Sequence, residues 1–319
     1  MSVVVLCGGV GAARFLRALH DVHPADDTIA VVNTGDDTVL HGLDISPDID
    51  TVIYTLAGAI DPERGWGLQG ETWGAMDALQ RFQTVRPPDS SAAPTWFNLG
   101  DRDLATHFYR TARRREGATL HEITAEIASA WGLAQRVVPM SDDRISTKVA
   151  IVDDDGVVRE VEFQDYFVRL RHSVPVRSIR FEGAAAARPT PGVLDAIAGA
   201  ERIVIAPSNP LVSIGPVRAV PGIDDALQRR RDAVVAVSPI VGGAALKGPA
   251  DRMLSELGHE STVVGVARLY APIASTLVID PVDEHLAPQV EACGIRALVA
   301  PSVMKDPEIA RRLARATIA

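Results

Sequence analysis

The stretch "SVVVLCGGVGAARFLRAL", residues 2–19, together with "TIAVVN", residues 28–33, decides the fold of this 319-residue chain. The continuous apolar run "VVVLC" is typical of a strand that is buried on both faces. Glycines follow this run, and Phe15, Leu16 and Leu19 then recur at helical spacing. "TIAVVN" returns as a second buried strand. The order strand, turn, helix, strand is the start of a βαβ unit, which predicts a parallel sheet.

The rest of the chain extends this pattern. Further buried strands are predicted at "RIVIAP" (202–207), "AVVAVSPI" (233–240), "STVVGVA" (261–267), "STLVID" (275–280) and "IRALVAP" (295–301). Residues from about 46 to 132 show mainly helical periods, apart from a loop at 86–96, and residues 147–182 resemble strands with a hairpin turn at Asp155-Gly156. We therefore expect one α/β domain over residues 1–319, built on a Rossmann-like, doubly wound, mostly parallel sheet with a helical insertion at 46–132 and a small β excursion.

Composition excludes several classes of protein. Hydrophobic residues make up 47% of the chain and charged residues 23%, which is enough to bury a large core. No apolar run approaches membrane-spanning length and no charged leader is visible, so we expect a cytoplasmic protein without a membrane partner. The net charge of −9 disfavours nucleic acid as a partner. The two cysteines are too few for a disulfide framework.

The glycine-rich turn "CGGVGAAR", residues 7–14, is the first candidate binding loop. It lies where a strand ends and a helix begins, so the backbone N–H groups of Gly8, Gly9 and Gly11 can approach a phosphate, and Arg14 can add a charged contact. A plain tight turn is the alternative, since the turn lacks both the full GxGxxG spacing and a P-loop lysine.

Two later loops repeat this placement. "APSNPLVSIGP" (206–216) supplies Ser208 and Asn209, and "SPIVGGAALKGPAD" (238–251) supplies Lys247, one of only three lysines in the chain. Turn chemistry and a surface lysine are the simpler explanations. Because the carboxyl ends of parallel strands share one edge of a sheet, we expect all three loops to converge there and to bind a nucleotide.

Acidic residues are concentrated directly after the second strand, in "NTGDDTVLHGLDISPDID" (33–50). Asp48 and Asp50 are accounted for as first-turn acids of a helix that Ser46 caps. Asp36 and Asp37 lie beside the glycine-rich turn, where they would repel a phosphate unless a cation intervened, so we predict that they bind Mg²⁺. Asp44 has no assigned role.

Another charged group occurs in "WFNLGDRDLATHFYR", residues 96–110. Asp103 is suited to cap the helix that follows it, and His107 lies four residues later on the same helical face. The simplest interpretation is a capped helix with a surface ion pair. The alternative places Arg102 at a substrate.

Taken together, the motifs resemble a known family. "CGGVGAAR", "NTGDD", "HGLDISPDIDTVIYTLAG", "RGWG", "ETW", "WFNLGDRDLATH", "FQDYFV", "APSNPLVSIGP", "SPIVGG" and "LKGPAD" occur in order over residues 6–251. This combination resembles the 2-phospho-L-lactate transferases of coenzyme F420 biosynthesis, which act as phosphoenolpyruvate transferases in actinobacteria.

The resemblance implies a Mg²⁺-dependent enzyme and a homodimer. Such an enzyme moves an enolpyruvyl- or lactyl-bearing phosphoryl group from a guanosine diphosphate-linked donor to the ribityl hydroxyl of the deazaflavin Fo, and GMP is released. By position, Asp48 and Arg102 would bind Fo and act in catalysis, and the three loops would bind the nucleotide. Trp66, Trp73, Trp96 or Phe97 could line a slot for the deazaflavin. Whether the donor carries phosphoenolpyruvate, 2-phospho-L-lactate or 3-phosphoglycerate stays open.

Two other functions are alternatives to this one. A nucleotide- or nucleotide-sugar-binding regulatory protein of the same superfamily would retain nucleotide but release no GMP when given donor and Fo. A Rossmann oxidoreductase is disfavoured because the first loop lacks the dinucleotide fingerprint and because two acids stand where a single ribose-binding acid is expected.

Overall fold

A computed structural model describes residues 1–88, 90–153 and 155–319. Asp89 of the predicted loop and Asp154 next to the predicted hairpin turn lie outside the described residues. The strands are β1 Val3–Cys7, β2 Thr28–Val32, β3 Thr38–Leu40, β4 Leu43–Ile45, β5 Arg136–Pro139, β6 Ser146–Val152, β7 Val158–Glu162, β8 Val176–Glu182, β9 Arg202–Ile205, β10 Val234–Val237, β11 Ile240–Val241, β12 Ala244–Ala245, β13 Thr276–Ile279 and β14 Arg296–Val299. The helices are α1 Gly9–His20, α2 Pro47–Leu56, α3 Gly74–Gln83, α4 Asp103–Arg115, α5 Leu120–Ala130, α6 Val193–Gly199, α7 Ile214–Ala219, α8 Ile223–Arg229, α9 Ala250–Glu256, α10 Val263–Tyr270, α11 Ala287–Ala292 and α12 Pro307–Ile318.

The central sheet has seven strands in the order β14-β13-β10-β9-β1-β2-β5, and every neighbouring pair is parallel. β1 lies between β2 and β9, with Val3 opposite Thr28 on one side and Arg202 on the other. The chain therefore winds outward in both directions from β1, which confirms the predicted doubly wound α/β fold. In such a sheet the crevice for ligands opens where the strand order reverses, between β1 and β9.

Both faces of the sheet are covered by helices, which explains the unbroken apolar sequence of its strands. Val4 and Leu6 of β1 belong to one core cluster, together with residues of α6, α7, α8 and α10. Val3, Val5 and Cys7 point the other way and pack with α1, α2, α5 and α12. Alternating side chains are thus buried on opposite faces, so no polar position interrupts the strand.

One predicted strand is wrong. "STVVGVA" (261–267) contains the start of helix α10, whose first residues follow the N-cap Thr262. The hydroxyl oxygen of Thr262 accepts hydrogen bonds from the backbone N–H groups of Val264 and Gly265. Because α10 is buried almost all round, its sequence is as continuously apolar as that of a buried strand, and periodicity cannot separate the two.

The middle of the chain contains the predicted helices and two strand features that were not predicted. The helices are α2, α3, α4 and α5, and the β3–β4 hairpin precedes them. After α5 the chain enters β5, which pairs in parallel with β2 and forms the edge of the central sheet. The segment therefore connects two neighbouring parallel strands of the sheet.

The β excursion is a separate antiparallel sheet in the order β7-β6-β8. Val152 of β6 pairs with Val158 of β7, and this confirms the predicted hairpin. The sheet packs through Val149 and Phe163 against Val212 and Met253, so it sits next to the loop that follows β9. Among the described residues, none of the helices has the length and apolar character needed to cross a membrane.

Candidate active site

A cavity of about 860 Å³ opens at the carboxyl ends of β1, β9 and β10. The predicted site residues that line it are Gly8, Gly9, Gly11, Arg14, Asp36, Asp48, Ser208, Asn209 and Lys247. All three predicted loops therefore reach one cavity, as expected for strand-end loops of a parallel sheet. Within the described part of the chain, the side chains of Asp37 and Arg102 are not among its lining residues.

Asp48 is held at the N-terminus of α1. Its Oδ1 accepts a 2.8 Å hydrogen bond from the backbone N–H of Gly9, and its Oδ2 accepts one of 2.9 Å from Asn33 Nδ2. A Cβ at position 8 would lie 2.7 Å from Asp48 Oδ2, so this approach needs glycine at position 8. Burial raises the pKa of Asp48 to about 6, against the lowering effect of the Asn33 and Gly9 hydrogen bonds. The site thus contains a buried carboxyl group whose raised pKa suits it to accept a proton.

The glycine-rich turn contacts protein groups in this structure. The N–H of Gly9 donates to Asp48, and that of Gly8 donates to Ser208 Oγ at 3.3 Å. Gly11 lies against the next loop, since a Cβ there would be 2.6 Å from the carbonyl oxygen of Pro207. The glycines therefore let two loops and a carboxylate pack closely, and the positive end of α1 is bonded to Asp48.

Arg14 and Lys247 place two positive charges at the same cavity. The pKa of Lys247 is lowered by burial and then by the positive charge of Arg14. A Cβ at Gly65 would lie 3.1 Å from both Lys247 Nζ and Val10 Cγ1, so the lysine reaches the first loop. Neighbouring cations that repel each other are suited to share an anion such as a diphosphate.

Asp36 and Asp37 face different surroundings. Asp36 lines the large cavity, and its buried Oδ1 has no hydrogen-bond partner among the described residues. Its pKa is raised well above the usual value by burial and then by the charges of Asp48 and Asp37. Asp37 lines a second, small cavity, where its Oδ2 accepts a 2.7 Å hydrogen bond from Ser46 Oγ. The structure therefore brings Asp36, and not Asp37, to the side of the cavity that holds Asp48.

Arg102 lies outside the cavity because its guanidinium is directed elsewhere. Its Nη1 donates a 2.6 Å hydrogen bond to the backbone oxygen of Gln69. The backbone N–H groups of Arg102 and Asp103 donate to the carboxylate of Glu71 at 2.8 and 2.9 Å. Glu71 thus satisfies the N-terminus of α4, and the expected capping role of Asp103 is wrong.

Asp103 instead belongs to a buried polar network that reaches the cavity. Its Oδ1 accepts a 2.6 Å hydrogen bond from Tyr54, and its Oδ2 lies 3.4 Å from His107 Nε2. Burial acts to raise the pKa of Asp103, but His107 and Tyr54 bring the net pKa below its usual value. The predicted surface ion pair is therefore wrong in its location, because both partners are buried.

Arg110 and Asp50 complete this network. Arg110 is 1% exposed and forms a two-pronged ion pair with Asp50, and its Nη1 lies 3.2 Å from His107 Nδ1. Asp50, Asp103 and His107 place three potential metal ligands within 4.8 Å of one another. The guanidinium of Arg110 already pairs with Asp50 there, so the charge of Asp50 is neutralised without a metal ion.

Aromatic side chains line two parts of the cavity. Trp66, Trp96 and Phe97 come from the helical segment, whereas Phe163 and Phe167 come from the segment between β7 and β8. Trp73 is not a lining residue in the described chain, and its ring packs 6.1 Å from that of Trp66. Aromatic side chains from two segments of the chain therefore line the cavity, and such side chains suit planar ligands.

Several of these residues were not predicted as site residues. The sequence patterns assign Asp50 to the first turn of a helix, and they give Asn33, Phe163, Phe167 and His172 no individual role. The one usable signal was the motif "FQDYFV", which contains two of the aromatic residues. The partners that bring the others to the cavity are distant in sequence, so spacing carries no information about them.

Comparisons with known proteins place the chain among relatives. Residues 3–299 match the family model described as 2-phospho-L-lactate transferase CofD. A phosphoenolpyruvate transferase from Kitasatospora aureofaciens is 44% identical, and the match covers 100% of this chain and 97% of that protein. The phosphoenolpyruvate transferase of Mycobacterium avium (strain 104) is 43% identical over 96% of this chain and 95% of that protein. A crystal structure of a UPF0052-family protein from Bacillus halodurans shares the fold, with a TM-score of 0.61 and 15% identity, and covers 100% of this chain and 98% of that one.

Proposed function

Because the chain belongs to the 2-phospho-L-lactate transferase CofD family, we propose that it transfers a phosphoenolpyruvyl group from a guanosine diphosphate-linked donor to the ribityl hydroxyl of Fo. This step would release GMP and would form part of coenzyme F420 biosynthesis. The names of its full-length relatives favour the phosphoenolpyruvyl donor. The lactyl donor is the second candidate because the family model is named for it.

The observation that carries this proposal is that Asp48 and two cations, Arg14 and Lys247, line one cavity. Phosphoryl transfer requires mainly positioning and charge neutralisation from the protein. Arg14 and Lys247 supply positive charge for the diphosphate, and Asp48 supplies a carboxylate that can take a proton. A base whose pKa is near 6 is largely ionised at neutral pH and still basic enough to assist an attacking hydroxyl.

In the proposed step, the ribityl oxygen forms a bond to the phosphorus that bears the enolpyruvyl group. The bond from that phosphorus to the oxygen of the GMP phosphate breaks, and GMP leaves. Asp48 accepts the hydroxyl proton. Arg14 and Lys247 hold the charge of the leaving group, and the apolar side chains of the helical segment exclude water from the deazaflavin ring.

We also propose that Mg²⁺ binds at Asp36, in the cavity that Asp48 also lines. Two observations support this site: the buried Oδ1 of Asp36 has no hydrogen-bond partner among the described residues, and its pKa is raised by burial and then by the charges of Asp48 and Asp37. A bound divalent cation would contact that oxygen and offset the negative charge. When bound, Mg²⁺ would neutralise charge on the phosphate oxygens. Asp36→Asn is expected to abolish the rise in melting temperature that MgCl₂ gives the wild-type protein, and an unchanged rise would contradict this site.

Product analysis tests the transferase function directly. The protein is incubated with Fo and each donor, and GMP release and the mass of the deazaflavin product are measured. We expect GMP release that depends on Fo and a product with an enolpyruvyl phosphodiester. Retention of nucleotide without GMP release would instead indicate a regulatory protein. Light scattering tests the homodimer that the resemblance implies.

A further inference from the structure

The loop 61–67 lies at the mouth of the large cavity, and Trp66 is the side chain that it presents there. An antiparallel bridge between Ile60 and Leu68 holds the two ends of this loop together. Trp66 lines the cavity and is also 41% exposed to solvent. Its indole therefore lies at the boundary between the cavity and the surrounding water.

The residues next to Trp66 do not hold the indole in this position. Gly65 and Gly67 flank it, with φ values of 76° and 65°, in the left-handed region that glycine adopts without strain. Gly65 also lies against a cation of the cavity, since a Cβ there would be 3.1 Å from Lys247 Nζ. Neither glycine has a side chain that packs on the indole, so its position depends on contacts from elsewhere.

Arg64 supplies these contacts. Its guanidinium carbon lies over two indole rings, 5.4 Å from the centroid of Trp66 and 5.2 Å from that of Trp73. A guanidinium within about 6 Å of an indole centroid is attracted to the face of the ring. Its Nη2 also donates a 3.0 Å hydrogen bond to the backbone oxygen of Leu68 and lies 3.0 Å from Asp61 Oδ2. The guanidinium is therefore fixed within the loop while it contacts both rings.

Trp73 is the anchored partner in this arrangement. It immediately precedes α3, and the carboxylate of Asp101 binds the residues on both sides of it. Asp101 Oδ2 accepts hydrogen bonds from the Thr72 hydroxyl and, at 2.9 Å, from the backbone N–H of Gly74. Arg64 therefore connects the loop at the cavity mouth to a ring that is fixed at the start of a helix.

We propose that Arg64 is a positioning residue that holds Trp66 over the mouth of the cavity and thereby keeps water from the phosphorus during transfer. This inference rests on the proposed function, because it assumes that a hydroxyl of Fo attacks a guanosine diphosphate-linked donor. Water is the competing nucleophile in such a step.

Attack by water gives different products from attack by Fo. The oxygen of water forms a bond to the phosphorus that bears the enolpyruvyl group, and the bond from that phosphorus to the oxygen of the GMP phosphate breaks. One proton of the water passes to solvent. The products are phosphoenolpyruvate and GMP, and Fo is not consumed.

Simultaneous measurement of GMP and of the deazaflavin product tests the proposal. The full-length protein is incubated with the donor and saturating Fo in MgCl₂. We define the hydrolysis ratio as the GMP formed in excess of the deazaflavin product, divided by that product. Arg64→Gln removes the cation, and each contact with an indole contributes about a factor of two to five to the equilibrium that keeps Trp66 in place. Because two contacts are lost, we expect the hydrolysis ratio to rise about tenfold.

Three further variants separate positioning from a general loss of structure. Trp73→Leu removes the anchored ring, which is not a lining residue of the cavity in the described chain, and should also raise the hydrolysis ratio. Arg64→Lys keeps a cation and should restore part of the wild-type ratio. Arg81→Gln is the matched control, because Arg81 is an exposed arginine of α3, and its ratio should be unchanged. Unfolded protein forms neither product, so it does not alter the ratio.

An unchanged hydrolysis ratio in either Arg64→Gln or Trp73→Leu would overturn the inference, even if GMP and the deazaflavin product both decrease. A ratio in Arg64→Lys no lower than that in Arg64→Gln would also overturn it, as would an equal rise in Arg81→Gln. A wild-type protein that releases no GMP when given donor and Fo would overturn the proposed function itself. The two failures are therefore distinguishable.

Discussion

Replacing Arg110 by methionine tests whether the buried network next to the cavity is a structural necessity. Arg110 is 1% exposed, and its guanidinium is the partner of Asp50, which is 5% exposed. Methionine has a similar length and is apolar, so the substitution removes the charge while leaving most of the volume filled. Asp50 would then be a buried carboxylate without its cation. Burial already raises the pKa of Asp50, and Arg110 is the largest influence that opposes this rise.

The expected loss can be converted into a shift in melting temperature. Breaking a buried ion pair by removing one partner costs about 3–5 kcal/mol in the free energy of unfolding. The entropy of unfolding is about 2.1 cal/mol/K per residue, or about 0.7 kcal/mol/K for a chain of 319 residues. Arg110→Met should therefore lower the melting temperature by about 4–7 °C.

Differential scanning calorimetry at one pH and one scan rate measures this change. Arg115→Met is the control, because Arg115 is an exposed arginine on the same helix. The double variant Arg110→Met/Asp50→Asn should recover part of the loss, since it no longer buries an unpaired charge. A melting temperature for Arg110→Met no lower than that of Arg115→Met, or no recovery in the double variant, would refute the reasoning.

Three further predictions concern Asp48, Gly8 and Asp37. Asp48→Asn should lower kcat about 100-fold or more in a GMP-release assay. It should also remove the acidic limb of the pH–rate profile near pH 6. A retained limb would show that another group is the base. Gly8→Ala should also inactivate the enzyme, because the added Cβ would displace Asp48. Gly199→Ala is the control: a Cβ at position 199 would have no neighbouring atom within 4 Å, so the rate should be unchanged. Equal rates for the two variants would count against the close contact between Gly8 and Asp48. The free energy of unfolding should fall as pH rises from about 4 to 8. Burial raises the pKa of Asp37 to about 8, so over this range the folded state keeps a proton that the unfolded state has lost. Melting curves of Asp37→Asn should show a smaller fall over this range, and an identical fall would exclude Asp37 as the cause.

Local patterns in the sequence were sufficient to predict most of the fold. The strand β1, its glycines and the apolar face of α1 are adjacent in the chain, and their order alone indicates a parallel sheet. The prediction of a strand in place of α10 was wrong because a helix buried on all sides loses the polar face that reveals its period. The edge strand β5 was missed because it is short and contains an arginine and a proline.

The site was only partly predictable because its hydrogen bonds join residues that are far apart in the sequence. Asp48 was correctly placed in the first turn of a helix, but its carboxylate bonds to Gly9, 39 residues earlier. Glu71 satisfies the start of α4 from 31 residues away, so the local capping rule assigned this task to the wrong acid. Asp50 finds its cation 60 residues later, at Arg110. Local sequence indicates which acidic residues favour the first turn of a helix. Tertiary packing determines which helix N-terminus each carboxylate bonds to.

Asp48 therefore connects two helices and, in the proposed function, two substrates. It lies in the first turn of α2, yet its Oδ1 is bonded to the first residue of α1. Since that carboxylate already satisfies the N–H of Gly9, the charge of a bound diphosphate is left mainly to Arg14 and Lys247, which repel each other without it. The glycine-rich turn, which the sequence indicated as a phosphate cradle, then has a different task. It allows the Asp48 carboxylate, which we propose as the proton acceptor, to lie within the cavity that Arg14 and Lys247 also line.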